Sequence, residues 1–332
     1  MNNFEKEILE QPTIIEAILA KHLVDNKVVG LPAIAGFSRV TIVASGTSKN
    51  AGEFAAYYFE QIAQIPSRVE FASELIAKKL IFDADDLVIF ISQSGKSADV
   101  LTALEKVKVT KAQTLAVVNV SDSPLGVGAD FKIDLEAGTE LAIPATKSFS
   151  ATIVKLFLLA LVFAAKKGID IATFLEEVKK LPDAAKKVAK SEFPSKIAQN
   201  FDIEIFLGRG LNYFALLESA LKIKEAALEV VTSFPLGEYV HGHMVTLKPK
   251  THIVAVSFAS DEISAIDQNL IARVEKNYSP QVTMLTDDIF SLKSKYLTPL
   301  LVVILFQLVA CEIAKTKGLN PDKPQGLNKV TE

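Results

Sequence analysis

The chain has 332 residues, 49% of them hydrophobic and 23% charged. That length suggests about two domains, and that composition belongs to a folded protein rather than a disordered one. A net charge of −3 and a pI near 5.9 argue against a nucleic-acid partner gripped through a basic surface. A single cysteine, Cys311, excludes an intrachain disulfide framework and a four-thiolate zinc site.

In chain order, residues 1–30 read as helix, with apolar positions at Ile8, Ile14, Ile15, Ile18 and Val24. The polar start, Met1 to Glu7, carries no secretory signal pattern. Val40–Ala44 is a β-branched strand, broken by Ser45-Gly46-Thr47-Ser48 and followed by a helix over Asn50–Ile65. Arg68–Ala72 and Leu87–Ile91 are strands. Ser92-Gln93-Ser94-Gly95 then leads into a helix over Ala98–Val107, strands over Gln113–Val120 and Phe131–Leu135, and a long apolar helix over Ala145–Lys167. Residues 168–200 lack strand runs and read as a helical connector.

The second half repeats the plan. Ile203–Leu207 is a strand, Gly208-Arg209-Gly210 a turn, and Asn212–Val230 a helix. His252–Phe258 and Gln281–Leu285 are strands around a helix over Glu262–Lys276, and Leu297–Lys317 is a second long apolar helix. Strands alternating with helices imply βαβ units and parallel sheets, and the shared plan implies internal duplication. The expected organisation is a helical segment over 1–35, a first α/β domain over 36–167, the connector over 168–200, a second α/β domain over 201–317, and a tail over 318–332. The apolar stretches Ile153–Ala165 and Leu297–Cys311 fall short of the roughly 18–20 residues of a membrane span. They are expected as core or interface helices of a cytoplasmic protein with no membrane partner.

In a parallel α/β sheet, ligands sit beyond the carboxyl ends of the strands. Two loops there are rich in hydroxyls: Ser45-Gly46-Thr47-Ser48 and Ser92-Gln93-Ser94-Gly95-Lys96-Ser97. Hydroxyls, free backbone N–H groups and the positive end of a helix can hold a phosphate without arginine. Serine and threonine are also ordinary N-caps. Neither loop fits the P-loop pattern and no dinucleotide fingerprint follows a strand, so ATP and NAD are not expected.

Glu218, Lys222 and Glu225 are four and three residues apart and share one face of an otherwise apolar helix. They are either an ion-pair stripe or a candidate acid–base pair. His241 and His243 flank Gly242, and no cysteine or carboxylate cluster completes a metal set around them, so acid–base work suits them better. His22 and His252 read as surface or strand-end residues.

These residues are where a family becomes visible. The chain resembles the sugar isomerase (SIS) family, and within it the isomerase half of glucosamine-6-phosphate synthase and the stand-alone SIS deaminases and deglycases. The resemblance covers about residues 30–332. It rests on the two serine loops, on Ala137-Gly138-Thr139-Glu140 with Thr146-Lys147, and on Phe206-Leu207-Gly208-Arg209-Gly210. It rests also on Glu218 to Glu225, on Glu238 with His241-Gly242, and on the tail from Asp322-Lys323-Pro324 to Lys329.

The resemblance implies two tandem SIS domains, each a flavodoxin-like three-layer αβα sandwich, with no cofactor and no metal. It implies phosphate on Ser48, Ser92, Gln93, Ser94 and Ser97, and sugar near Thr47 and Ile143. It makes Glu225 the base that moves a proton between C1 and C2, Lys222 a cation near the reacting heteroatom, and Lys329 a tail lysine at the open sugar. His241 is a ring-opening histidine supplied by the neighbouring subunit, so a homodimer with a shared active site is implied. The expected activity is isomerisation or deamination of an aminosugar 6-phosphate without glutaminase activity. A fructosamine-6-phosphate deglycase and a non-catalytic sugar-phosphate sensor are the alternatives. Lys96, Ser97, Ala145 and His243 depart from the synthase pattern.

Overall fold

The computed structural model describes residues 1–199, 203–248, 251–258 and 263–329. They fall into two compact units. An N-terminal unit takes Thr13–Leu141, Ala145–Lys179 and Gly326–Glu332; a C-terminal unit takes Met1–Pro12, Ala142–Pro144 and Lys180–Gln325. Helix α1 (Asn3–His22) gives its first turns to the latter unit and its remaining turns to the former.

The helix expected over residues 1–30 stops at His22. Asp25 and Asn26 take left-handed φ values of +49° and +56°, which short polar side chains tolerate. They fold β1 (Leu23–Val24) back on β2 (Lys27–Val28) in a two-residue hairpin.

The rest of the N-terminal unit runs β3 (Arg39–Ala44), α2 (Gly46–Gln61), β4 (Ser67–Phe71), α3 (Ala72–Ala77), β5 (Asp86–Ser92) and α4 (Ala98–Lys108). It continues β6 (Gln113–Val118), α5 (Pro124–Gly128), β7 (Phe131–Asp134), α6 (Lys147–Lys166) and α7 (Ala172–Lys179). The five strands β3 to β7 are all parallel, in the order β4-β3-β5-β6-β7. The α/β expectation holds here. The short helices α3 and α5 fall in stretches with no helical signal in the sequence, because one turn or so carries no periodicity. Every residue of β5 is buried, as a central parallel strand requires. Val43, Phe90 and Val118 meet Leu104 and Val107 of α4 in one core layer. In another, Phe54 and Tyr58 of α2 meet Phe149 and Phe157 of α6 edge to face, at 6.0 and 5.2 Å.

The C-terminal unit runs α8 (Leu181–Ala189), α9 (Phe193–Gln199), β8 (Ile203–Gly208), α10 (Leu211–Ala227), β9 (Thr232–Pro235) and α11 (Leu236–Tyr239). It continues β10 (His252–Val256), α12 (Ser264–Tyr278), β11 (Gln281–Leu285) and α13 (Thr298–Thr316). Its four strands are parallel in the order β11-β10-β8-β9. The winding matches the first sheet: the first strand has the second on one side and the third and fourth on the other. The expected helix over Asn212–Val230 ends at Ala227, where Leu228 turns left-handed at φ +55°. The chain then forms β9, a short edge strand that the apolar pattern does not separate from the helix. α13 packs along α10 and α8, and Phe306 of α13 lies 4.8 Å from the Phe206 ring of β8. α6 and α13 are each long and apolar enough to cross a membrane, yet 89% and 83% of their most apolar stretches are buried inside the structure.

Candidate functional site

In both units the topological switch point lies between the first strand and the third: β3 and β5 in one, β8 and β10 in the other. Chains leaving these strands run in opposite directions along the sheet, which opens a crevice at their carboxyl ends.

In the N-terminal unit this crevice is bounded by the two serine loops. β3 passes at Ser45 directly into α2, so Thr47 and Ser48 stand in the first turn of a sixteen-residue helix, both half-buried. That helix starts four residues before Asn50, the start expected from the sequence. β5 ends at Ser92, which is buried, and Gln93, Ser94, Gly95 and Lys96 lead to Ser97, the N-cap of α4. The Ser92 and Ser97 hydroxyl oxygens are 3.3 Å apart. The turn is tight because Gly95 sits at φ +63°, where an added Cβ would lie 2.0 Å from the Ser123 hydroxyl. The structure therefore groups Ser92, Gln93, Ser94 and Ser97 on one turn, and Thr47 and Ser48 on the helix that follows the neighbouring strand.

Neither N-cap hydroxyl caps its own helix. Ser45 Oγ makes no hydrogen bond to α2 and donates instead to Asp99 Oδ2 at 2.5 Å. Ser97 Oγ likewise makes no capping bond to α4. The N-terminus of α6 is handled differently. The Glu140 carboxylate accepts from the Thr146 and Ser148 amides at 2.9 and 3.2 Å and from the Ser148 hydroxyl at 2.8 Å. Lys329 Nζ donates to the same carboxylate at 3.0 Å. The tail lysine is thus held at a helix end where a negative group is already stabilised. Asn119, which no motif in the sequence singles out, ties these parts together. Its backbone N–H donates to Gln93 O, its side-chain amide donates to Gly138 O, and its Oδ1 accepts from the Ala137 amide.

His22 corrects the expectation that it is a surface residue. It is 3% exposed: its Nδ1 is 2.7 Å from Val29 O and its Nε2 is 2.6 Å from Lys155 Nζ. Lys155, buried in α6, also pairs with Glu136 at 2.7 Å, and Lys21 pairs with Glu136 from the surface. Burial pushes His22 and Lys155 below their ordinary values. Burial alone would raise Glu136, but its two lysines outweigh it and hold the carboxyl at about 2. An unfolded chain binds protons at His22 and Glu136 more readily than the folded one, so stability should fall as pH drops from about 6.5 toward 2. In urea unfolding, Glu136→Gln is expected to lose about 2 kcal/mol at pH 7. That is less than the ~3–5 of a fully buried pair, because Glu136 is partly solvated. The variant should also lose the part of the acid sensitivity that lies between pH 4.5 and 2.

In the C-terminal unit, α10 carries Glu218, Lys222 and Glu225 on one face. Glu218 and Lys222 are completely buried, and the Glu225 side chain keeps 19% exposure. Lys222 Nζ lies 2.5 Å from Glu225 Oε2 and 3.3 Å from Glu218 Oε1. Burial would lower the lysine, but the two carboxylates outweigh it and hold Lys222 above its ordinary value, a charged ammonium. This is not a solvated surface stripe. Arg209, in the turn after β8, bridges to Asp267 on α12 at 2.9–3.0 Å, across the switch point of this sheet. His241 stands exposed in the turn after α11, its backbone N–H donating to Glu238 O. His243 is exposed as well, its ring 4.4 Å from Phe234 and stacked parallel to Tyr239. Ile143, half-buried, donates its backbone N–H to Asp322 O. Cys311 is buried in α13 and burial pushes its thiol up to about 12, so it offers no thiolate. Among the described residues no three His, Cys, Asp or Glu side chains converge.

Residues 34–163 match the SIS domain family. The glutamine–fructose-6-phosphate aminotransferase (isomerizing) of Clostridium tetani is 32% identical over 350 residues, which cover 98% of this chain and 58% of that protein. The chain thus spans a little under three fifths of that relative's length. Among solved structures, the C-terminal domain of glucosamine-fructose-6-phosphate aminotransferase from Francisella tularensis matches at TM-score 0.89 and 28% identity, over 98% of each chain. Glucosamine-6-phosphate deaminase from Thermotoga maritima matches at TM-score 0.82 and 23% identity over 99% of each chain, a likeness of fold.

Proposed function

We propose, from the SIS domain matched over residues 34–163, that the chain is a phosphosugar enzyme of the aldose–ketose type that deaminates an aminosugar 6-phosphate. The observation that carries the reading is the α10 pair: a sealed, charged Lys222 in contact with a Glu225 carboxylate that remains reachable. Shifting a proton next to a carbonyl needs one positioned carboxylate and a fixed cation to steady the charge that develops. In this reading the open-chain aminoaldose binds its phosphate at Ser48, Ser92, Gln93, Ser94 and Ser97, with Thr47 and Ile143 toward the sugar. Glu225 takes the C2 proton, the electron pair moves into an enolamine, and Glu225, whose acid proton can exchange with solvent, delivers a proton to C1 while O1 takes one from the amino nitrogen. The resulting imine at C2 takes up water and releases ammonia, leaving the ketose phosphate.

The second parallel sheet, wound as the first is, supports two tandem SIS domains. The exposed position of His241 suits a ring-opening acid–base group that serves the site of a second copy in a homodimer. Lys329, held near neutralised charge on Glu140, is available to the open sugar when that contact is exchanged.

The test is ammonia release from glucosamine 6-phosphate, galactosamine 6-phosphate and ε-fructosyl-lysine 6-phosphate. Ammonia from an aminosugar phosphate is the expected result. Free lysine from the third compound instead would assign a deglycase. Phosphosugar binding that raises the melting temperature with no turnover of any compound would leave a sensor.

A further inference from the structure

The turn that carries His241 is held on both sides of that residue. Before it, α11 ends at Val240, and the His241 amide donates to Glu238 O at 2.9 Å. After it, Gly242 sits at φ +128° with nothing within 4 Å of the place where a side chain would start, so it anchors nothing. His243 then opens a single 3₁₀ turn that ends at Thr246, whose hydroxyl donates to His243 O at 3.1 Å. The His243 ring lies 4.4 Å from the Phe234 ring of β9, and parallel to the Tyr239 ring of α11 at 6.4 Å. Phe234 and Tyr239 are themselves 5.4 Å apart. Three rings therefore tie the chain after Gly242 to the edge strand and to the helix before it. Gly242, His243 and Thr246 also line a cavity of about 590 Å³, together with Ile205, Thr232 and Phe234. A turn that borders a cavity has no packed neighbours on that face, so the contacts it does make constrain it more. Met244 and Leu247 reach the core further along the chain. His243 is thus the first anchored side chain after His241.

We propose that His243 is a positioning residue: its ring, packed on Phe234 and Tyr239, fixes the direction in which the exposed His241 is presented for ring opening. The proposal rests on the phosphosugar function and on the acid–base role proposed with it for His241. His243 itself moves no proton. What the turn needs from it is a flat ring, and the imidazole nitrogens are not required. Proton transfer is steep in distance and direction, and a group held about 1 Å from its place costs on the order of 10²-fold in rate.

The test is a double-mutant cycle read by kcat and KM for glucosamine 6-phosphate, or for galactosamine 6-phosphate where the wild type prefers it. Urea unfolding of each variant checks the fold. His243→Ala should lower kcat about tenfold and leave KM within about twofold, because the proposed phosphate groups lie in the other unit. His243→Phe keeps the ring and removes the titratable nitrogens, and should hold kcat within about twofold of wild type. His241→Asn should lower kcat about 10²-fold. In that background His243→Ala should cost less than about twofold more, because the group it positions is gone.

Wild-type kcat in His243→Ala overturns the proposal, and so does a His243→Ala variant that is unfolded in the assay. A loss in His243→Phe equal to that in His243→Ala overturns it by making the imidazole an acid–base group in its own right. The full tenfold loss repeated in the His241→Asn background shows that His243 does not act through His241, and overturns it too. His241→Asn at the wild-type rate removes the role of His241 and this inference with it. Wild-type protein that turns over neither aminosugar phosphate overturns the deaminase reading and the inference together.

Discussion

Glu225→Gln is expected to lower kcat for the aminosugar phosphate by about 10²- to 10⁴-fold, the range contributed by one positioned general base. The substitution keeps the shape of the side chain and can still accept from Lys222 at the 2.5 Å contact. It removes only the ability to take a proton. Lys222 keeps the Glu218 carboxylate 3.3 Å away, so α10 retains one ion pair and the fold has no large reason to loosen. KM should change little, because the proposed phosphate groups lie on other elements, in the α2 and α4 loops. Two readouts are needed. Ammonia release reports the whole reaction, whereas exchange of the substrate C2 proton with deuterated solvent reports the proton step alone. Both should fall together. Loss of ammonia release with C2 exchange at the wild-type rate would remove Glu225 from the role of base and leave it acting at imine hydrolysis.

Part of this arrangement is legible in the amino-acid sequence itself. The parallel sheets follow from β-branched runs such as Val40–Ala44 and Leu87–Ile91 set between amphipathic segments. Residues at i, i+4 and i+7 on one helix must share a face, so Glu218, Lys222 and Glu225 meet wherever α10 packs. Their burial is not legible there, since it depends on what covers the helix. Local pattern also fails at β9: four residues at a sheet edge, shortly after a helix that ends on Leu228 rather than glycine, offer no period and no stop signal. Contacts between distant residues are the least visible. Lys155 finds His22 from 133 residues away, and Lys329 finds Glu140 from 189. Nothing in either neighbourhood announces the partner, and so a histidine with the local surroundings of a surface residue is in fact buried.

Asp99 illustrates the same limit at shorter range. Serine before a helix reads as a cap, and at Ser45 and Ser97 the sequence rule and the structure part company. The departures fall on the two loops that would receive an anion.

Lys222→Met should produce the largest loss of stability, about 3–5 kcal/mol in urea unfolding. The methionine fills a similar volume, so little of the loss is cavity. It arises because the Glu218 carboxylate, 0% exposed, loses the ammonium 3.3 Å from it and must either stay charged in an apolar surrounding or take up a proton. Removing the second charge as well should reverse most of the damage. Glu218→Leu in the Lys222→Met background replaces the buried pair with packed hydrocarbon, an exchange that is often neutral or favourable. The pH dependence separates this cluster from the one around His22. Lys222 is held above its ordinary value, so its contribution is complete at neutral pH and is lost only as pH rises above about 10.5, on the alkaline side. The stabilised double variant then isolates chemistry from folding. If Lys222 only holds α10 together, the folded double variant should turn over near the wild-type rate. If its charge steadies the enolate-like intermediate formed at Glu225, the variant should stay about 10²- to 10³-fold slow despite restored stability.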